Sequence, residues 1–303
     1  MNMHHLKVFL AVAEAGGISA GAARLHISQP AVTREIRELE ASTGLALFDR
    51  QPRGVALTEG GRRLLHYAQR IFALEQAAER ELRDFASLVS GELRLGASAT
   101  LGAYVLPALI ERFHAHHPEV QVDLQVSNTR KVSALLDDAS IGLGFVEGPF
   151  ERSLYAHRLI ARDALLPVVG PAHPLASRAS LRAEDLAGHA LYLREEGSGA
   201  RASVEQAYRE HGLALEPQMS IGSTEALKRL IAEGRGIAWL SERVVVDELA
   251  SGKLCRLAPG DLRIERDLHV LWRGADSLSP APAAFLAMVL EQVEPSSGNI
   301  KTF

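Results

Sequence analysis

Cysteine, aromatic residues and long apolar runs are all scarce in this sequence. A single cysteine among 303 residues excludes a disulfide framework and makes a reducing cytoplasm the expected compartment. No apolar run approaches the length of a membrane-spanning helix, and the first residues lack the basic and then apolar pattern of a secretory signal. Aromatic residues make up only 5% of the chain, but a hydrophobic fraction of 47% still allows sizeable cores. At this length we expect about two or three folding units.

Enzymatic signatures are also missing. The sequence has no P-loop or dinucleotide-binding fingerprint. Cys255 lies in a predicted strand with no histidine nearby in sequence, which favours a small buried residue over a nucleophile. His114, His116 and His117 end a predicted helix on different faces, which favours a solvated helix end over a metal site. The sequence therefore predicts no enzyme, no cofactor and no metal site.

The net charge of −4 is distributed unevenly along the chain. Residues 1–65 carry eight basic and six acidic side chains, and the remaining residues carry 25 basic and 31 acidic ones. This asymmetry is modest, so an interaction with nucleic acid has to depend on where individual arginines lie rather than on bulk charge.

The segment from Ile18 to Glu40 has the pattern of two helices joined by a tight turn. The turn ends at Ser28, a good N-cap, and Pro30 falls in the first turn of the next helix, where its missing N–H costs nothing. The apolar residues of that helix recur at helical spacing and are expected to face inward. The polar side chains left on its open face are those of Gln29, Thr33, Arg34 and Arg37. Such side chains suit base edges and phosphates in a DNA major groove, although an ordinary helical hairpin with a polar outer face has the same pattern.

The next segment, residues 45–65, predicts a wing. Two brief apolar runs flank a turn at Gln51-Pro52-Arg53-Gly54, and a helix starts at Thr58-Glu59. The tip of this hairpin carries Arg50 and Arg53 toward a phosphate backbone.

Residues 3–65 as a whole resemble the winged helix-turn-helix of the LysR-type transcriptional regulators. The matching residues are Phe9, Val12, Ala13, Ala22-Ala23, Leu25, Ser28-Gln29-Pro30-Ala31-Val32, Ile36, Leu39-Glu40, Gly44, Leu47-Phe48, Arg50, Leu57-Thr58-Glu59 and Gly61. The resemblance implies a double-stranded DNA operator, self-association into a dimer or a dimer of dimers, and RNA polymerase as a further partner. The DNA contacts that it implies come from Ser28, Gln29, Pro30, Ala31, Thr33, Arg34, Arg37, Arg50 and Arg53.

Two positions depart from the usual pattern of this family. Gly17-Ile18 replaces the more usual polar and aromatic pair before the second helix. Glu35 stands where a neutral or basic residue is common, and a carboxylate there repels phosphate but can accept a hydrogen bond from cytosine. We therefore expect Glu35 to alter operator preference.

A long helix is predicted from Glu59 to about Ser90. Apolar residues follow alternating three- and four-residue steps over roughly 30 residues, which is about 45 Å of helix. They are Leu64, Ala68, Ile71, Ala78, Leu82, Phe85 and Val89. The narrow stripe with charged flanks favours a dimerising helix, and the alternative is a long surface helix that packs on its own domain. In the family that the chain resembles, this helix pairs two chains and sets two DNA-reading heads about one helical turn apart.

Beyond Gly91 the pattern changes to alternating strands and helices. This alternation predicts parallel sheets covered by helices on both faces, in a module similar to periplasmic solute-binding proteins. Two crossovers, near residues 159–163 and 262–268, are expected to join two small α/β subdomains. The predicted divisions are a winged helix-turn-helix (1–58), a linker dimerisation helix (59–90) and an effector-binding regulatory domain (91–303), with subdomain I at 91–161 and 267–303 and subdomain II at 162–266.

Four turns of the regulatory domain have the character of a ligand site. Ligands of such sheets bind beyond the carboxyl ends of strands, where helix N-termini present free N–H groups. A single hydroxyl there is explained by N-capping, worth about 1 kcal/mol, but four such turns favour effector binding. The predicted effector-binding residues are Ser98, Ala99, Thr100, Gly102, Asn128, Thr129, Glu147, Arg194, Ser198, Arg201, Ser223 and Thr224.

The chemistry of these turns suits a small polar molecule, with an anion favoured. Arg194 and Arg201 can bind a carboxylate or an oxyanion, whereas Glu147 requires either its own protonation or a donor on the ligand. The same turns resemble the branch of the family that includes regulators of sulfur assimilation and carbon fixation. That resemblance implies sulfur oxyanions and phosphorylated or carboxylated metabolites as candidate effectors.

The sequence thus predicts a sequence-specific DNA-binding regulator that responds to a small metabolite between two subdomains. Two alternatives remain open at this point. One is an architectural DNA binder that needs no effector. The other is a ligand-binding or enzymatic α/β module that carries a DNA-binding head.

Overall fold

The computed structural model describes residues 2–51, 54–86, 91–274 and 278–293. The chain divides into two compact units, Met1–Arg80 and Glu81–Phe303, each with its own hydrophobic core. Within the described ranges, no helix is both long enough and apolar enough to cross a membrane.

The first unit contains the predicted helix-turn-helix and wing. Its elements are α1 (Met3–Ala15), α2 (Ile18–Leu25), α3 (Gln29–Thr43), β1 (Phe48–Gln51), β2 (Gly54–Leu57) and the first part of α4 (Glu59–Ala86). Strands β1 and β2 pair antiparallel, as a wing requires. A Cβ at Gly21 would lie 2.9 Å from the Cα of Val12, so only glycine lets α2 cross α1 this closely.

Local signals in the sequence set the turn between α2 and α3. His26 takes a left-handed φ of 54° and ends α2. The Ser28 hydroxyl accepts a hydrogen bond from the Ala31 N–H at 3.4 Å and so caps α3. The inward face predicted for α3 is confirmed, because Val32, Ile36 and Leu39 are all buried.

The structure of α4 contradicts the first part of the predicted dimerising stripe. Ala68 is fully buried and Phe72 nearly so, and both belong to the core of their own unit. The stripe therefore faces its own domain at this end, because a surface helix and a paired helix have the same apolar period. Among the described side chains of α4, the large apolar ones that are exposed are those of Tyr67 and Leu74, one heptad apart, and Ala78 of the predicted stripe is exposed as well. The side chains of Leu82 and Phe85, and all of Val89, lie outside the described residues.

After the end of α4, the described part of the second unit contains nine strands, seven α-helices and two short 3-10 helices. The strands are β3 (Glu92–Ser98), β4 (Gln121–Ser127), β5 (Leu143–Glu147), β6 (Ala156–Val169), β7 (Leu191–Arg194), β8 (Pro217–Ile221), β9 (Ala238–Ser241), β10 (Cys255–Arg256) and β11 (Ile264–Trp272). The α-helices are α5 (Ala99–Tyr104), α6 (Leu106–His116), α7 (Thr129–Asp137), α8 (Gly199–Glu210), α9 (Thr224–Glu233), α10 (Glu242–Ala250) and α11 (Pro280–Val293).

The main sheet is mixed rather than wholly parallel. Its strand order is β10-β6-β11-β5-β3-β4, with β9 also on β6, and β7 and β8 form a separate parallel pair. Strands β4, β3 and β5 run parallel, but β6 and β11 pair antiparallel along most of their length. The two predicted crossovers are these long strands. They run in opposite directions because the chain leaves subdomain I along one and returns along the other, which is why the expectation of parallel sheets was only partly right.

The second unit has separate cores on the two sides of these crossovers. The core of subdomain I includes Leu95, Phe145 and Phe285, and the core of subdomain II includes Val204 and Trp239. Strand β6 contributes to both, through Ile160 and Leu165 respectively.

Two helical features differ from the predictions. Helix α10 was not predicted, although Ser241 caps it by accepting a hydrogen bond from the Arg243 N–H at 3.2 Å. The alternating pattern beyond Gly91 predicts one helix from Tyr104 to His116, but in the structure α5 ends at Tyr104 and α6 begins at Leu106, after a break at Val105. Pro107 lies in the first turn of α6, and a proline in that position starts a helix rather than continuing one.

Candidate DNA-contact surface and effector cleft

Helix α3 presents its predicted DNA-reading side chains together on one surface. Gln29, Arg34 and Arg37 are exposed there, Thr33 is half-buried, and all four line one surface depression with Pro30. The Thr33 hydroxyl donates to the Gln29 carbonyl at 3.0 Å. The structure therefore places two guanidinium groups and an amide where a helix in the major groove presents its reading face.

Glu35 does not lie on that surface, so its expected contact with bases is wrong. Only 8% of the residue is exposed, because its side chain turns toward α1. One carboxylate oxygen lies 3.1 Å from Nε2 of His5, and the other lies 3.1 Å from Nη2 of Arg34.

The phosphate contacts expected from the wing are not tested by the structure. The backbone of Arg50 pairs with Val55 in the hairpin, but the Arg50 side chain lies outside the described residues. Arg53 falls wholly outside them. Both contacts stay predictions.

N-capping accounts for two of the four predicted ligand turns. Asn128 accepts a hydrogen bond from the Lys131 N–H at 3.0 Å, and Ser223 accepts one from the Ala226 N–H at 3.3 Å. Ser98 and Ser198 precede α5 and α8 in the same way, but their side chains make no such bond. These two buried hydroxyls are therefore the ones that capping leaves unexplained.

The other residues of the first turn have structural contacts. Thr100 accepts a hydrogen bond from Nη2 of Arg266 at 3.0 Å. A Cβ at Gly102 would lie 2.7 Å from Cγ2 of Val126, so this glycine serves the packing of α5 on β4. Ala99 is half-buried as the first residue of α5.

A buried charge network, where the two crossover strands meet the end of β5, was not predicted from the sequence. Arg266 on β11 is 4% exposed, and its guanidinium lies 2.7 Å from Oδ2 of Asp163 and 3.0 Å from Oε1 of Glu147. Asp163 also accepts a hydrogen bond from the Ser241 hydroxyl at 2.8 Å. Asp163 follows Arg162 on β6, and Arg266 lies between Glu265 and Asp267 on β11, so the sequence does not single out this pair of charges. Arg266 supplies the positive charge that the buried carboxylate of Glu147 needs.

Two polar atoms of this network and one on the neighbouring strand β3 lack a hydrogen-bond partner among the described residues. They are Oγ of Ser98, Oε2 of Glu147 and Nη1 of Arg266, all buried. The contact between Nη1 and Glu147 is thus an ion pair without the alignment of a hydrogen bond. Ser98 and Glu147 end the neighbouring parallel strands β3 and β5 and so lie at the same edge of the sheet.

The N-terminus of α8 packs directly against this edge of the sheet. A Cβ at Gly199 would lie only 1.6 Å from the carbonyl oxygen of Glu147, so glycine alone permits the approach. The Thr129 hydroxyl donates to that same carbonyl at 3.0 Å. Subdomain II therefore rests on the end of β5, next to the unpartnered atoms.

The two arginines predicted to bind an anion are already paired with carboxylates. Nε of Arg194 lies 2.9 Å from Glu195, and its Nη1 donates to the Thr224 hydroxyl at 2.6 Å. Nε of Arg201 lies 2.6 Å from Glu205. A ligand anion would have to compete with these carboxylates, so both assignments stay predictions.

The subdomains also touch at two places beside the network. On one side Asn128 donates to Glu195 at 3.1 Å, and on the other the Tyr104 hydroxyl donates to Glu225 at 3.1 Å. Nζ of Lys228 lies 2.9 Å from Glu225 and 2.8 Å from Glu248. Burial acts to lower the pKa of Lys228, but hydrogen bonds to these two glutamates offset it and hold the pKa above its usual value. Lys228 therefore stays charged.

Two family models match this chain. Residues 3–62 match the bacterial regulatory helix-turn-helix protein, lysR family, and residues 86–294 match the LysR substrate binding domain. The chain is 30% identical over 292 residues to the RuBisCO operon transcriptional regulator of Allochromatium vinosum. The aligned region covers 96% of this chain and 96% of that protein.

Solved structures show the same fold. Full-length CbnR in complex with its target DNA superposes with a TM-score of 0.70 at 24% identity, covering 96% of this chain and 99% of that one. The CcmR regulatory domain of Synechocystis PCC6803, in complex with 2-PG, superposes with a TM-score of 0.62 at 28% identity, covering 67% of this chain and 97% of that one. These likenesses confirm the predicted fold class.

Proposed function

This chain belongs to the LysR family of transcriptional regulators, and from that premise we propose that it binds its operator as a dimer and responds to a small hydroxylated anion. The effector occupies the cleft between the two subdomains of residues 91–303. DNA binding and an effector-binding domain are properties of the family, and its named relative regulates transcription. The chemistry of the effector and the residues that contact it are the proposal.

The unpartnered atoms of the cleft carry this proposal. A buried polar group without a partner costs about 1–3 kcal/mol, so Ser98, Glu147 and Arg266 all gain from a polar ligand. Glu147 accepts only, and the guanidinium of Arg266 donates only. A ligand that satisfies both must therefore carry a donor as well as an acceptor. A phosphorylated or carboxylated hydroxy acid meets this requirement, whereas a bare sulfur oxyanion offers acceptors alone.

The relatives support the same chemical class. The Allochromatium vinosum protein is a RuBisCO operon regulator, and the CcmR regulatory domain was solved with 2-PG. A ligand held by Ser98 in subdomain I and Ser198 in subdomain II bridges the cleft. Such a ligand binds one angle between the subdomains more tightly than another. Only this difference in affinity between the two conformations can shift how the two DNA-binding domains are presented.

The direct test combines ligand screening with DNA binding. The full chain is screened for thermal stabilisation against phosphorylated and carboxylated hydroxy acids, and hits are added to mobility-shift assays on the DNA upstream of its gene. A ligand at 100 times its Kd adds about 2.7 kcal/mol of stability. A sequence-specific complex that no ligand alters would support an architectural DNA binder instead. The cytoplasm and RNA polymerase stay the proposed compartment and further partner.

Ser98→Ala tests the cleft. We expect the variant to bind operator normally without ligand and to bind the effector about tenfold more weakly, since one hydrogen bond of about 1.4 kcal/mol is lost. Isothermal titration measures this. Ser251→Ala is the control, because Ser251 lies exposed at the end of α10, where its hydroxyl donates to the Asp247 carbonyl at 2.7 Å. It should leave effector affinity unchanged. Equal effects of the two substitutions on affinity would remove Ser98 from the site.

Arg34→Ala tests the recognition helix. The exposed guanidinium lies on the reading face, so its loss should cost about 1–3 kcal/mol on the operator and relax preference at one base pair. Binding to a library of operator variants measures both effects. Arg24→Ala, on the exposed side of α2 and paired with Glu14, is the control and should leave base preference unchanged. Unaltered preference in Arg34→Ala would mean that another face reads the bases.

A further inference from the structure

A histidine and two glutamates meet between α1 and α3 of the first unit. His5 projects from α1, and Glu35 and Glu38 project from α3 at a three-residue spacing that puts them on one face. Nε2 of His5 lies 3.1 Å from Oε2 of Glu35 and 3.2 Å from Oε2 of Glu38. All three ligating atoms lie within 4.8 Å of one another.

The spacing of these atoms matches a metal coordination sphere. Zinc binds histidine nitrogen at about 2.0–2.1 Å and carboxylate oxygen at about 2.0–2.2 Å, which in a tetrahedron separates neighbouring donors by about 3.3 Å. The side chains of His5 and Glu35 are only 17% and 10% exposed. A neutral imidazole has one N–H, which cannot fully satisfy two carboxylate oxygens that converge on the same nitrogen.

We propose that His5, Glu35 and Glu38 bind a divalent transition metal ion, with zinc as the best fit to a ligand set of one imidazole and two carboxylates. Three protein ligands leave a fourth position open. His4 is close enough to approach it, since its Nε2 lies 3.9 Å from Oε2 of Glu35 and its side chain is 62% exposed. The site joins α1 to the recognition helix.

The same carboxylates hold Arg34 through their other oxygens. Nη2 of Arg34 lies 3.1 Å from Oε1 of Glu35, and its Nε lies 3.9 Å from Oε1 of Glu38. The ion and Arg34 therefore use different atoms and bind together. A bound ion fixes both carboxylates, and through them the position of Arg34, as outer-shell partners do around other metals. This consequence for DNA depends on the proposed function, but metal binding itself does not.

Metal uptake by the full chain tests the site without DNA. Protein stripped with a chelator is titrated calorimetrically with Zn²⁺, and Co²⁺ reports coordination by its visible absorption. We expect one tight Zn²⁺ per chain and a Co²⁺ spectrum with nitrogen and oxygen ligands. Glu38→Gln keeps the shape of a half-exposed side chain and should weaken Zn²⁺ binding more than about tenfold, the loss that even an outer-shell partner causes. His5→Gln should abolish the Co²⁺ spectrum.

His116→Gln removes an exposed histidine at the end of α6 and is the matched control, with uptake expected to be unchanged. Equal Zn²⁺ binding by wild type and Glu38→Gln would overturn the proposal, because the ion would then sit elsewhere. No tight binding by wild type would also overturn it, and the three side chains would then be only a polar contact between α1 and α3. Circular dichroism of each variant checks that the helices remain folded.

Discussion

Replacing Arg266 with methionine is expected to lower the free energy of unfolding by about 3–5 kcal/mol. The substitution keeps most of the side-chain volume but removes the cation between Asp163 and Glu147. Both carboxylates are almost fully buried. Glu147 would be left as an uncompensated charge in a low-dielectric site, and Asp163 would keep only the more distant guanidinium of Arg243, whose Nε lies 3.7 Å from its Oδ1. Thr100 would lose its hydrogen-bond donor as well.

Denaturant unfolding followed by tryptophan fluorescence measures this cost. The two tryptophans of the chain, Trp239 and Trp272, are both buried in the second unit, so the signal reports that unit. Arg162→Met is the matched control, since Arg162 is 67% exposed on β6 and lies 3.5 Å from Asp267 at the surface. Exposed pairs of this kind are worth about 0–1 kcal/mol. A loss for Arg266→Met no larger than that of the control would mean that water reaches the network.

Replacing Leu74 with lysine is expected to separate the dimer and lower operator affinity by at least about 100-fold. Leu74 is 54% exposed, and Tyr67, one heptad earlier, is 60% exposed. A lysine at this position puts a charge into a paired helix, whereas the isolated chain tolerates it. A single head contacts only a half-site and loses the avidity of two linked heads, which is worth about 10²–10⁴.

Sedimentation equilibrium measures the mass of the Leu74→Lys protein in solution, and operator titration measures its affinity for DNA. Leu154→Lys is the control, because Leu154 is 63% exposed on a short turn of the second unit. That variant should keep both the mass and the affinity of the wild type. A Leu74→Lys protein that still sediments as a dimer would show that the exposed face of α4 is not the dimer seam.

The first unit could be predicted almost to the residue because its signals are local. Ser28 and Pro30 set the start of α3, and Gly44 ends it in a left-handed conformation. Each of these residues acts on backbone groups within one helical turn of itself, so sequence alone reports its role.

Contacts between distant residues account for what the sequence did not reveal. Asp163 and Arg266 are 103 positions apart, and nothing in either strand says that the other charge lies opposite. Glu35 was assigned to the DNA face because its partner, His5, lies on another helix. The start of the apolar stripe on α4 was assigned to a second chain, but Ala68 packs in the core of its own unit. The helical period of apolar residues is the same whether a helix packs on its own domain or on a paired helix.

The two crossover strands also set the order in which the second unit can fold during synthesis. The core of subdomain II uses residues from Leu165 to Ile264, a single continuous stretch. The core of subdomain I begins with Leu93 but needs Phe285, whose ring packs 5.2 Å from Phe113 and 6.1 Å from Phe145. Since the ribosome delivers α11 after both cores' other elements, subdomain II can fold while the strands of subdomain I still lack Phe285. A nascent chain released before residue 280 would expose those two phenylalanines and become a substrate for chaperones and proteases.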